Sequence, residues 1–105
     1  MASYVLVFKG GSVPESEEEQ KSVMAAWGAW FGGLGPAVVD GGNPFGASAT
    51  IAGDGTVSDG AASALTGYAI LSADSLAAAT EMSKTCPILA DGAGSMEIYE
   101  TFAVM

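Results

Sequence analysis

The chain has 105 residues, of which twelve are acidic and three are lysine, with neither arginine nor histidine. The resulting formal charge of −9 excludes nucleic acid and anionic membrane surfaces as natural partners, because both would repel it. Half of the residues are hydrophobic, 15 are glycine and only 14% are charged, which excludes a disordered tail and describes a single domain over 1–105 with a modest core.

Ser3 to Lys9 (SYVLVFK) reads as the first strand, ended by Gly10 and Gly11. Tyr4, Leu6 and Phe8 point one way and Val5 and Val7 the other, so both faces are apolar where a sheet with one wet face would alternate. Pro14 then opens a helix, with Ser12 as its candidate cap and Glu15, Glu17, Glu18 and Glu19 in the first turns, where the helix dipole favours negative charge. The helix is expected to run to Leu34. Val23, Trp27, Trp30, Phe31 and Leu34 recur at spacings of three and four and define one apolar face, while Gly28 and Gly32 are expected to let the helix approach a sheet closely. Gly33, Gly35 and Pro36 end it. At helical spacing Trp27 and Trp30 read as core, and Trp27 is also placed to roof a pocket.

A second strand begins at Ala37 and runs into AVVDGGNPF, the stretch ending at Phe45. Asp40 ends the apolar run, Gly41 and Gly42 permit a bulge or positive φ, and Pro44 forces Asn43 into an extended shape. Asp40 and Asn43 either sit at a strand end facing a pocket or bond backbone amides in an irregular turn. Ala47 to Ala52 and Thr56 to Ser58 flank Gly53-Asp54-Gly55 and predict a hairpin. Asp59, Gly60 and Ala61 to Ala64 make a loop, and Gly67 to Ser72 (GYAILS) a further strand whose Tyr68 can bury its ring and turn its hydroxyl toward a cleft.

Asp74 or Ser75 caps a second helix, Leu76 to Thr85, with Leu76, Ala78, Ala79 and Met82 facing the sheet, and Pro87 stops it. Cys86 has no histidine to activate it and reads as an inert thiol; one cysteine forms no internal disulfide. Ser95 to Val104 is the last strand, with Met96, Ile98, Phe102 and Val104 on one side and Glu97, Tyr99 and Thr101 on the other. Glu100 falls on the apolar side, so it reaches solvent, marks a bulge or serves a site.

The order strand, helix, strand with hairpin, strand, helix, strand predicts an α+β fold of ferredoxin-like βαββαβ type with an added hairpin. Apolar residues on both faces of the first and third core strands call for a cover over the open sheet face, and a second copy supplies it, giving a homodimer with sheets face to face. No zinc set exists without histidine, Gly33-Leu34-Gly35 lacks the third glycine of a dinucleotide fingerprint, and Asp54 and Asp59 lack calcium-loop spacing, so neither metal nor cofactor is expected. The N-terminus offers neither a basic n-region nor an apolar run long enough for export or for spanning a bilayer, so a cytoplasmic location is expected.

Over nearly its full length the chain resembles the YCII-related, or DGPF-type, proteins, bacterial dimeric α+β barrels. The resemblance lies in YVLVFKG, VVDGGNPF, VSDG followed by LTGYAILSADSLAAATEMSKTCP, and MEIYETFAV. Asp59-Gly60 matches the first half of the DGPF signature, with Ala61 and Ala62 where proline and phenylalanine would stand. Family members with a suspected site pair an acid with a histidine on the first helix, where this chain has Trp27. The resemblance carries over Asp40 as the acid.

Two classes of function follow. In one, a buried Asp40 moves a proton on a small carbonyl or lactone-like molecule, oriented by Asn43 and Tyr99. In the other, the same cleft only binds a small, mostly apolar ligand, or the protein is a structural dimer. The ligand-binding candidates are Trp27, Asn43, Phe45, Asp59, Tyr68 and Tyr99.

Overall fold

The computed structural model of the chain describes residues 2–11 and 15–102; Ser12, Pro14 and Val104, which carry expectations above, lie outside them. Strand β1 (Ala2–Gly10) is the centre of the fold, because it pairs antiparallel with β5 (Leu65–Ala73) on one side and β6 (Gly94–Thr101) on the other. The short β2 (Val38–Asp40) adds to the far edge of β5, giving a four-stranded sheet in the order β2-β5-β1-β6. Helices α1 (Glu17–Leu34) and α2 (Leu76–Ser83) complete an α+β architecture compatible with a ferredoxin-like arrangement. Among the described residues, strands β3 (Ala49–Ile51) and β4 (Val57–Asp59) pair only with each other, in a separate two-stranded sheet.

Side chains alternate across a strand, so the pairing register decides what is buried. Tyr4, Leu6 and Phe8 stand opposite Leu71, Ala69 and Gly67. The apolar residues of this set, with Ala73, Trp30 of α1, Ala79 of α2 and Cys86, form the core. The side chains of Val5, Val7, Tyr68 and Ile70 alternate to the other face and are half-buried.

Helix α1 begins three residues after Pro14. Ser16 is the residue whose side chain meets the exposed amides: its Oγ accepts from the Glu19 N–H at 3.1 Å, while Glu19 Oε2 accepts from the Glu15 N–H at 3.0 Å. This near-reciprocal cap fixes the start at Glu17. At the other end the Gly35 N–H bonds back to the Phe31 carbonyl, and Gly35–Ala37 form a 3-10 turn, so β2 starts at Val38 and not at Ala37. The expected close approach at Gly28 and Gly32 does not occur. Both glycines are exposed with nothing within 4 Å of a Cβ built there, because Trp27, Trp30 and Phe31 occupy the sheet-facing stripe.

Helix α2 starts as expected behind Ser75, whose Oγ accepts from the Ala78 N–H at 3.1 Å, but it ends at Ser83. Leu76 is 50% exposed and leaves the packed face to Ala79 and Ser83, one turn apart. A 3-10 helix, Pro87–Gly92, then leads into β6. Phe102, expected to be packed, is 79% exposed beyond the end of that edge strand. Glu100 stands opposite Tyr4 but at the free edge, where its side chain reaches solvent. Burial raises the Tyr4 hydroxyl above its ordinary pKa of 10.0, and the negative charges of Glu100 and Asp74 add to the effect. Among the described residues no helix is long and apolar enough to cross a membrane.

A candidate ligand cleft between the first helix and the sheet end

Four aromatic side chains separate α1 from the sheet. Phe8 and Trp27 have ring centroids 5.3 Å apart, Trp27 lies 5.9 Å from both Trp30 and Phe31, and Trp30 and Phe31 are 5.0 Å apart. Trp30 turns inward and its Nε1–H donates to the Met82 carbonyl at 3.2 Å, tying α1 to the end of α2. Trp27, one turn nearer the N-terminus, is only partly buried and faces an open cleft of about 1060 Å³.

The floor of the cleft is the end of β1 and β5, at Phe8, Gly67 and Tyr68. Its roof is the N-terminal half of α1, from Ser16 through Glu19 and Val23 to Trp27, and Ile88 of the 3-10 helix closes one side. Residues Gly41 to Pro44 form the opposite wall. They are held there by an isolated bridge between Pro44 and Gly67 and by the Phe45 N–H donating to the Thr66 carbonyl at 2.9 Å. Gly42 makes the approach possible. It has φ +71°, and a Cβ at this position would fall 1.7 Å from the Tyr68 carbonyl oxygen.

Of the residues singled out above, Trp27, Asn43 and Tyr68 line this cleft, and Asp40, Phe45, Asp59 and Tyr99 do not. Asp40 is exposed, where the proton-transfer expectation has it buried. Its Oδ1 accepts from the Gly42 N–H at 2.8 Å and its Oδ2 from the Tyr68 hydroxyl at 3.4 Å. The carboxylate thus braces the turn that carries the wall. Phe45 stacks on Tyr68, with centroids 5.8 Å apart and ring planes 16° from parallel, so these residues form a cluster of their own at the edge of the sheet. Tyr99 lies opposite Val5 on the outer face of β6 and is 53% exposed. Asp59 pairs with Ala49 in the detached β3–β4 sheet.

Phe8, Phe31 and Val23 read as core from their spacing and prove to be cleft walls as well. Glu19, Val23 and Trp27 follow one another at intervals of four, which is the signal in the sequence that could have joined the acidic helix start to the pocket. Ile88 carries no such signal, since its place depends on the 3-10 turn after Pro87. Cys86 is buried beside this turn, and burial raises its thiol from 9.0 to about 11, against a smaller opposing effect from the Ile88 N–H. Comparisons with protein-family models, with curated proteins and with solved structures find no match to this chain.

Proposed function

We propose that the chain is a small-molecule-binding protein of the YCII-related kind, which holds a mostly apolar compound in the cleft under α1 and works as a homodimer of dimeric α+β barrel type. The cleft itself carries the reading. About 1060 Å³ walled by Phe8, Val23, Trp27, Phe31 and Ile88, with Asn43 as a polar group able to orient a guest, has the size and make-up of a small-molecule site. Binding is preferred to proton transfer because Asp40 lies outside the cleft, exposed, with Oδ1 accepting from the Gly42 N–H and Oδ2 from the Tyr68 hydroxyl.

The dimer rests on shape and on the apolar outer face. The described chain measures 43 × 39 × 20 Å with a radius of gyration of 15.2 Å, against roughly 13 Å for a compact domain of this length. It is a slab with helices on one side and Val5, Val7, Ile70 and Tyr99 on the other. A second copy laid on that side would enclose these residues together with Asp40, Phe45 and Tyr68, which is the arrangement in which an Asp40-assisted reaction regains sense.

Native mass spectrometry of the protein as purified from cells, gentle and then denaturing, tests the reading. A dimer carrying a small added mass that denaturation releases, and that Trp27→Ala no longer carries, is expected. A monomer without added mass, and without uptake of apolar compounds on soaking, would overturn it. If a bound compound turns over, Asp40→Asn separates the two roles, since the asparagine oxygen still accepts from the Gly42 N–H and keeps the brace but cannot take up a proton.

A further inference from the structure

The cleft is asymmetric along α1. Its deep end is aromatic, with Phe8, Trp27 and Phe31, and its mouth carries Glu18 and Glu19, while none of the three lysines lines it. Resting on the binding reading above, we propose that the occupant is an organic cation, an amine or quaternary ammonium group carried on an apolar body.

Three observations converge on that class. The first is the sign of the charge: the ionised side chains at the mouth are both acids, and the only ion pair among the described residues, Lys84 with Glu81 at 2.7 Å, involves neither. An anionic ligand would enter a protein of charge −9 and meet no counter-charge. The second is the helix start, which would otherwise favour an anion. Here Ser16 takes up the Glu19 N–H, and Glu17, Glu18 and Glu19 outweigh the partial positive charge of the helix end. Glu19 spends one oxygen, Oε2, on the Glu15 N–H, so its cap role leaves Oε1 for a guest. The third is the wall. Aromatic rings attract cations, and aromatic-lined cavities suit ammonium groups with apolar substituents. Glu19, Val23 and Trp27 lie one turn apart along α1, so an ammonium head at Glu19 would place its apolar body against Val23 and Trp27.

Isothermal calorimetry with three probes of one shape tests this: 4-phenylbutylamine, 4-phenylbutan-1-ol and 4-phenylbutyrate, at low and at high salt. The amine is expected to bind about tenfold more tightly than the alcohol, and the carboxylate most weakly, with the amine's advantage shrinking as salt rises. In a Glu18→Gln/Glu19→Gln variant, whose glutamine at 19 still fits the cap, the amine's advantage over the alcohol should disappear. Equal binding of all three probes, or tightest binding of the carboxylate, overturns the cation inference and leaves the cleft standing. Failure of all three to bind, with circular dichroism showing an intact fold, overturns the binding reading itself.

Discussion

At Gly42 a single methyl group would do the most damage. Its φ of +71° is strained for any other residue, and the added carbon would meet the Tyr68 carbonyl at 1.7 Å, so Gly42→Ala is expected to cost about 2–5 kcal/mol in urea unfolding. Gly28→Ala should do the reverse and add about 0.5–1 kcal/mol, since that glycine is helical, exposed and faces open space. The pair Gly41-Gly42 marks a special backbone in the sequence, but only the packing against Tyr68 distinguishes the indispensable glycine from its neighbour. Cys86 makes a prediction of another kind. Its folded pKa of about 11 lies above the ordinary 9.0, so the folded state holds the thiol proton more tightly than the unfolded state. The contribution to stability is complete below pH 9 and is lost as pH rises toward 11, with Tyr4 acting in the same direction further up. Urea midpoints measured from pH 8 to pH 11 should fall, and the fall should be shallower in Cys86→Ala.

Helix α1 was legible by its period and not by its start. The stripe Val23, Trp27, Trp30, Phe31 and Leu34 survives intact, whereas the start expected from the sequence is Pro14 with Ser12 as cap, and the Ser16–Glu19 pair that fixes it at Glu17 emerges only from hydrogen-bond geometry. Helix α2 is too short for its period to decide between Leu76 and Ala79, and contact with the sheet decides for the smaller residue. The bond from Trp30 Nε1–H to the Met82 carbonyl joins these helices across 52 positions of sequence, a link that no local pattern announces. Trp30→Phe removes the donor and part of the buried ring, and should cost about 1–3 kcal/mol in urea unfolding with the far-ultraviolet spectrum of the native protein unchanged.

For the whole molecule, the α+β class follows from the order of strands and helices, which is visible in the sequence, whereas the order β2-β5-β1-β6 rests on pairings between distant segments. The cleft was visible only in part. Its aromatic end follows from helical spacing, while its other wall depends on how residues 41 to 44 fold against β5, a contact between distant segments. What lies on the outer face of the sheet leaves no pattern in one chain beyond its apolarity. Val5→Glu places a charge at the centre of that face, opposite Tyr99 and Ile70. In the proposed homodimer two such charges would meet with little water between them, so sedimentation should show a monomer whose circular dichroism still matches the native protein. A wild-type protein that already sediments as a monomer would remove the argument.

Both tryptophans of the chain lie on α1, three residues apart, and nowhere else. The intrinsic emission of this protein is therefore a clock for one helix. Emission dates the moment α1 leaves the sheet, while amide hydrogen exchange along β1 and β5 dates the loss of the β2-β5-β1-β6 layer, so the two probes resolve roof and floor as separate cooperative units. Coincident midpoints would mean that roof and floor of the cleft melt together; an earlier emission midpoint would mean that the cleft opens by release of its roof while the sheet persists.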